Sequence, residues 1–507
     1  MGKERYYASS FIWSTATKVL NALVGFVSVP LLIGQFGRAE YGILTLALSF
    51  NAYMHLLDLG MNTGAVRYFS IWKTEGDSAR VDRVARTNLS FYSLVAVLNM
   101  LIVLGVALFG EGLFSISHAQ FITLRWCLFS LAALSLFSWA ATAFNQLLVA
   151  DMQMAFTMKM SFAAVLLKIA LIVITLKASL SLPLFFFFLT LITSLLIIPF
   201  AWKCRRDGLV TCLRPAGYWS DFKPAFIFSL SIFALSFFQM TASESRPLVL
   251  GICIPEAANT LTDFKIISVV PALIVAIGGS LSGIFLPNTS GMVARDDRAA
   301  IERFAYKWTR YTTIIANILC VPFILCAAEV ISAYVGQANA HLSVWMVIWC
   351  VTVLIQIHTT PGNSLVLAFG KTKALVVTTA ISCVLSIAIN AVLAKRFGVG
   401  SAVIAYFIYV SVVIGLYYLH YYKSLLRLNR WKMFLSFLVP TAVAAAVYIP
   451  CQLFLDLDVS LFGGINERVA YLLICIVKTL AWLLPYAAIL LALGILKPSE
   501  FKGLVKK

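Results

Sequence analysis

Stretches of about twenty consecutive apolar residues recur along nearly the whole of this 507-residue chain, with little sequence left between them. An α-helix rises 1.5 Å per residue, so each stretch matches the roughly 30 Å hydrocarbon layer of a bilayer. In hydrocarbon the backbone must satisfy its own hydrogen bonds, which leaves only helices or a closed barrel. These runs are continuous rather than alternating, so they read as helices. The pattern predicts an all-α polytopic membrane protein with about 14 transmembrane helices. They fall near residues 8–33, 42–66, 88–109, 121–148, 155–176, 182–202, 225–253, 260–287, 304–327, 344–369, 373–394, 399–421, 432–454 and 470–496. With 61% hydrophobic and 12% charged residues, the composition excludes a soluble globular domain.

The formal net charge of +18 is dispersed over many short loops. Nucleic acid would need one concentrated basic face, so no nucleic-acid partner is expected. Placing the N-terminus inside puts 28 of the 39 Lys and Arg in inner segments, including Lys3, Arg5 and the four from Lys497 onward. Only seven then lie outside: Arg38, Arg125, Lys177, Lys265, Lys395, Arg396 and Arg468. That bias predicts two cytoplasmic termini. The first span is too long for a signal peptide and has no small-residue cleavage site after it. Ten cysteines are scattered singly, without paired spacing or histidine partners, and read as small apolar residues. Gly370-Lys371-Thr372 ends like a phosphate-binding loop, but Leu365 stands where a glycine is required and a membrane helix precedes it, so ATP hydrolysis is not expected. No loop has room for a soluble catalytic domain and no carboxylate pair stands at an acid/base site, so the chain does not read as an enzyme.

The sequence also repeats itself. Pro30-Leu31-Leu32-Ile33-Gly34 recurs as Pro247-Leu248-Val249-Leu250-Gly251, and Asn145-Gln146-Leu147-Leu148 as Asn363-Ser364-Leu365-Val366, at offsets of 217 and 218. Charged segments at Asp77 to Arg86 and Arg295 to Arg310 correspond in the same way. An even number of spans per copy gives both copies one orientation, a parallel repeat that in transporters binds substrate between the halves and rocks one against the other. The predicted organisation is a first six-helix lobe at 1–202, a basic linker at 203–224, a second six-helix lobe at 225–431, and an addition at 432–507 of two helices and a basic tail.

Charges inside the spans point to chemistry. Ser14, Lys18, Asn21, Gly25 and Ser28 share one helical face of the first span, and Asn51, His55, Asp58 and Asn62 one of the second. Ser236, Gln239, Ser243 and Arg246 do so in the seventh, with Pro247 expected to break its ladder and Pro271 to bend the eighth. Lys168 stands alone in the fifth span. A cation in hydrocarbon costs about 2.5–3.5 kcal/mol on insertion scales, so several of them imply a wet cavity and an anionic ligand. The expected lining is Lys18, Asn21, Asn51, Asp58, Lys168, Gln239, Ser243 and Arg246. His55, Asp58, Glu244, Asp263 and Lys265 are expected to handle a coupling ion or to form ion pairs. Depth along the two helices brings Lys18 level with Asp58, as a salt bridge or as two cavity groups. Glu244 with Arg246, and Asp263 with Lys265, have the same alternatives. Lys478 is expected to snorkel to the outer surface.

From Phe36-Gly37-Arg38-Ala39-Glu40-Tyr41-Gly42-Ile43 through Leu56-Leu57-Asp58-Leu59-Gly60-Met61 to Arg67-Tyr68-Phe69, the sequence resembles the Wzx-type oligosaccharide-lipid flippases of bacteria. Their superfamily also contains the multidrug and toxin extrusion carriers and the lipid II flippase. The resemblance is strongest over residues 1–90 and is echoed at 247–260 and 361–373. It implies two lobes in the bacterial inner membrane alternating between two openings, no cofactor, and a proton or sodium gradient as the driving force. The implied cargo is an oligosaccharide on undecaprenyl diphosphate, moved outward for O-antigen, capsule or exopolysaccharide assembly beside other polysaccharide assembly proteins. Lys18 and Arg246 fall where the family expects a cationic cavity residue in the first span of each lobe. The diphosphate suits Lys and Arg, and sugar hydroxyls suit Asn21, Asn51, Gln239 and Ser243. A drug exporter of the same superfamily and a membrane enzyme acting on lipid-linked sugars are the alternatives.

Overall fold

A computed structural model describes residues 3–212, 214–462 and 466–496. The basic tail from Lys497 onward, and the side chains of Lys3, Arg5 and Asn62, lie outside the described residues. The described residues form helices and no strand. Their outer surface carries large apolar side chains with no protein cover, including Leu94 at 69%, Val392 at 78% and Leu453 at 69% exposure. Such a surface is stable only against hydrocarbon. Twelve helices among the described residues are long and apolar enough to cross a bilayer. A thirteenth span is formed by two segments, Trp219–Leu230 and Phe233–Cys253, that meet at 51°.

The chain divides into two compact units, Met1–Lys265 with Asn390–Val399, and Ile266–Ile389 with Gly400–Lys507. The first contains α1 (Lys3–Phe36), α2 (Arg38–Met54), α3 (Met61–Thr74), α4 (Ser78–Phe109), α5 (His118–Ala150), α6 (Met154–Ala178), α7 (Leu182–Ser194), α8 (Ile197–Arg206), α9 (Trp219–Cys253) and the start of α10 (Ala257–Ala294). Here α4 packs along α5, α1 along α6, and α9 against both α2 and α3. Its core is aromatic, with Phe69, Trp72, Tyr92, Trp139 and Phe222 all nearly or fully buried.

The second unit holds the rest of α10, then α11 (Arg298–Leu325), α12 (Ala327–Val335), α13 (Ser343–Ile357), α14 (Thr360–Ala368), most of α15 (Lys373–Phe397), α16 (Gly400–Leu416), α17 (Arg430–Phe454) and α18 (Glu467–Ala492). A π-helical segment, Tyr417–Leu425, extends α16. Helix α11 packs on α13 and α17, and α18 on α12 and α17. Trp482 stacks on Tyr486 at 4.7 Å and donates to the Ala444 carbonyl at 3.1 Å.

Local chemistry sets the helix starts. The Asp77 and Asp297 carboxylates accept from the backbone N–H of Arg80 and Ala300, each at 2.9 Å, so the two charged repeat segments are the capped first turns of α4 and α11. Ser117 and Gln120 form a reciprocal capping box on α5. Three expected spans, 42–66, 182–202 and 344–369, are not single helices, the first of them for a backbone reason. Helix α2 stops at Met54, a 3₁₀ turn covers His55–Asp58, and Leu59 and Gly60 follow with φ of 51° and 75°. Two successive left-handed residues cannot continue a right-handed ladder, so the stretch 42–66 breaks in its middle.

Pro247 does not end its helix. Helix α9 runs through Pro247 to Cys253 and bends instead near Leu230, while α10 passes Pro271 without ending. Pro247 lacks the N–H that would bond the Ser243 carbonyl. The Arg246 Nε donates to that same carbonyl at 3.1 Å, which restores the missing bond and keeps the helix whole.

Candidate functional site

Helix α1 packs mainly on α6 and less on α2. Thr17 donates to the Met158 carbonyl of α6 at 3.2 Å, and Trp13 meets Phe162 edge-on at 5.5 Å. Two other faces of α1 are open. Val19, Leu23 and Val27 form an exposed apolar stripe, while Lys18, Asn21 and Gly25 form an exposed polar one. At about 100° per residue the two stripes lie nearly opposite each other. One helix thus presents hydrocarbon chemistry on one side and aqueous chemistry on the other. Lys18 has no hydrogen bond or ion pair among the described residues.

Asp58 sits at the break between α2 and α3. It accepts a hydrogen bond from the Tyr92 hydroxyl, to which Gln146 also donates. The Asn88 amide donates in turn to Gln146 at 3.0 Å. Tyr92, Asn88 and Gln146 are fully buried, so the carboxylate closes a polar chain that reaches into an apolar core. Lys18 and Asp58, level by residue count, are not joined. The reason is the break, which turns Asp58 toward α4 and α5 rather than along a straight helical face. The His55 ring lies tilted against Trp139, with centroids 5.4 Å apart, and Asn51 is half-buried. The buried chain escaped the sequence reading because Asn88 and Tyr92, one turn apart on α4, meet Gln146 on α5, and nothing in the sequence shows that those two helix faces pack together.

On α6, Lys168 is half-buried and has no ion pair among the described residues. On α9, Gln239 is exposed, Ser243 half-buried and Arg246 buried. Arg246 Nη2 also donates to the Ser243 hydroxyl at 3.2 Å, and the Arg246 carbonyl accepts from Asn390 at 3.2 Å. Glu244 lies in electrostatic range of both Arg246 and Lys265. Asp263 is ion-paired with Arg38, and the Thr262 hydroxyl donates to the Arg38 carbonyl. The sequence places Arg38 between two spans and offers Lys265 as one possible partner of Asp263. Both intramembrane carboxylates of this region are therefore matched by cations.

Lys478 departs most from expectation. It is buried in the second unit and bonds Glu329 at 2.5 Å rather than snorkelling outward. Glu329 lies in the first turn of α12, after the chain has ended α11, and no local pattern in the sequence connects the two. No group of three or more His, Cys, Asp or Glu able to hold a metal occurs among the described residues.

This arrangement of many apolar helices with cations held at depth defines a multi-span membrane protein. No family model and no curated protein sequence matches the chain. Solved structures do. It is similar to the lipid II flippase MurJ in an inward closed conformation, with a TM-score of 0.67 and 12% identity over 95% of this chain and 99% of that one. It is similar also to a multidrug resistance MATE family transporter of the MOP superfamily in an inward-facing conformation, with a TM-score of 0.61 and 13% identity over 85% of this chain and 95% of that one. The MATE multidrug transporter DinF-BH gives a TM-score of 0.56 and 13% identity, covering 85% of this chain and 98% of that one. The chain thus has the fold of MOP-superfamily transporters.

Proposed function

We propose that this protein is a flippase. It moves an undecaprenyl-diphosphate-linked oligosaccharide from the cytoplasmic to the periplasmic leaflet of a bacterial inner membrane, by ion-coupled alternating access, for assembly of a surface polysaccharide. Both termini lie in the cytoplasm. The observation that carries the reading is the two-faced exposure of α1, with Lys18 on the polar side and unpaired among the described residues. A lipid-facing lysine at this depth would be costly, whereas one on a water-filled path is an anion receptor. A diphosphate offers it several charged acceptor oxygens, and Asn21 beside it on the same face suits sugar hydroxyls. The apolar face of α1 is free to run beside a polyprenyl tail that stays in the bilayer. Asp58, tied into the Tyr92, Gln146 and Asn88 chain, is the group through which a proton couples to the cycle.

A drug exporter of the same fold is the competing reading. Cationic drugs call for carboxylates in excess of cations in the spans, and here Asp263 is paired with Arg38, Glu244 faces Arg246 and Lys265, and Asp58 alone is bonded to a neutral group, the Tyr92 hydroxyl. The flippase structure also accounts for more of this chain than the exporters do, 95% against 85%.

Reconstitution into proteoliposomes with a fluorescent lipid-linked oligosaccharide tests the assignment. Lys18→Ala removes one charge-assisted hydrogen bond to the diphosphate, and translocation is expected to fall roughly ten- to hundredfold. The variant's thermal unfolding midpoint should stay that of the parent, because no packing or pairing is lost. A variant that flips at the parental rate would remove Lys18 from the path. Transport of a cationic dye in place of the lipid would favour the exporter.

A further inference from the structure

We propose a second anion site, separate from the transport path, that holds the phosphate headgroup of an anionic phospholipid of the surrounding bilayer. It is a cavity of about 620 Å³ within the second unit, where the start of α15 meets the π-helical segment Tyr417–Leu425. Lys371, Lys373 and His420 line its polar side, and Ala374, Val377 and Leu425 form an apolar wall. The site uses the Gly370-Lys371-Thr372 turn that fails as a nucleotide motif.

Three observations give the ligand its chemistry. First, charge is uncompensated: residues 369–378 and 417–435 contain Lys371, Lys373, Lys423, Arg427, Arg430 and Lys432 and no Asp or Glu. Clusters of this size at the ends of spans attract anionic lipid. Second, the location is interfacial, because α15 and the π-helical segment are the ends of two candidate spans, Lys373–Phe397 and Gly400–Leu425. A ligand there meets headgroups on one side and acyl chains on the other. Third, the volume and the apolar wall exceed what a bare phosphate ion needs, and they fit a phosphodiester with the first carbons of its chains.

The backbone is built to keep the site open. π-Helical turns are rare and concentrate at functional positions. This one is anchored by its tyrosines, since Tyr421 donates to the Lys371 carbonyl at 3.1 Å and Tyr417 to Asn363 at 2.8 Å. Those contacts fix the turn that carries both lysines against the helix that carries His420. Ser424 donates to the His420 carbonyl at 2.6 Å, and the His420 ring stays exposed.

The test uses the full chain in detergent, titrated with phosphatidylglycerol, with phosphatidylcholine of the same acyl chains, and with inorganic phosphate. Binding is read by native mass spectrometry and by the thermal unfolding midpoint. Phosphatidylglycerol is expected to bind and to raise the midpoint, and the other two to do neither. In the Lys371→Gln/Lys373→Gln variant its affinity should fall about thirtyfold, from roughly a fivefold loss per lysine. Both lysines are exposed, so the variant keeps its fold, and its unliganded midpoint checks this. Arg430→Gln/Lys432→Gln, which removes two neighbouring cations outside the cavity, should cost clearly less, about fivefold at most, because these charges act only at a distance. An equal loss in the two double variants would reduce the effect to diffuse attraction and overturn the site. Equal binding of phosphatidylcholine would overturn the role of charge, and equal binding of phosphate would overturn the role of the lipid.

Discussion

Cations inside the spans of this chain do different work, and their surroundings assign it. Arg246 repairs its own helix: it bonds the Ser243 carbonyl that Pro247 leaves without a partner, and it is buried while doing so. Lys478 closes a buried ion pair with Glu329. Lys18 and Lys168 have neither kind of partner among the described residues. The ion pair is open to a mutational test. Lys478→Met leaves the Glu329 carboxylate buried beside an apolar group and is expected to cost about 3–5 kcal/mol. Adding Glu329→Leu should return most of that loss, because both desolvation penalties then vanish together. Thermal unfolding of the three variants in detergent checks the cycle. A double variant no more stable than Lys478→Met would show that the pair does more than neutralise itself.

At the level of elements, the glycines of the first repeat divide into those that press on a neighbouring helix and those that touch nothing. A Cβ built on Gly42 would lie 1.8 Å from the Ala258 carbonyl oxygen, and one on Gly64 would lie 1.8 Å from the Ser229 hydroxyl. One built on Gly25 meets no atom within 4 Å. Helices α2 and α3 therefore approach the start of α10 and α9 respectively at distances only hydrogen allows. Gly42→Ala forces backbone apart and is expected to destabilise by about 1–3 kcal/mol. Gly64→Ala should cost less, since the Ser229 side chain can rotate away. Gly25→Ala should be neutral or slightly stabilising, because alanine favours the helix. The order of the three unfolding midpoints is the measurement, and an unaffected Gly42→Ala would refute the close contact. The break at Leu59 and Gly60 belongs to the same scale, since it shortens α2 and aims Asp58 at Tyr92.

For the whole molecule, the charge bias predicts an orientation that the helix order can carry. Within the first unit, counting spans puts residues 75–77, 151–153 and 207–218 on one side and the 110–117 and 179–181 connections on the other. Cysteine labelling of intact cells by a membrane-impermeant maleimide should modify a cysteine placed at Ser179 and spare the native Cys212. Labelling only the second would reverse the assignment of sides.

Sequence alone determined that this chain is helical, embedded and many-spanned, because apolar length and backbone hydrogen bonding in hydrocarbon leave no other solution. It also singled out Lys18, whose exposure on a polar helical face follows from the spacing of its polar neighbours on one helix. Partners distant in the chain were illegible for a plain reason. A hydrogen bond or ion pair between helices depends on which faces meet, and apolar helices carry almost no sequence signal of their neighbours. Tertiary structure alone therefore decided that Asp58 answers to Tyr92, Asp263 to Arg38 and Lys478 to Glu329. It alone decided that Pro247 leaves its helix whole and that Leu59 with Gly60 breaks one, since both outcomes rest on whether a freed carbonyl finds a donor and whether the backbone turns left-handed.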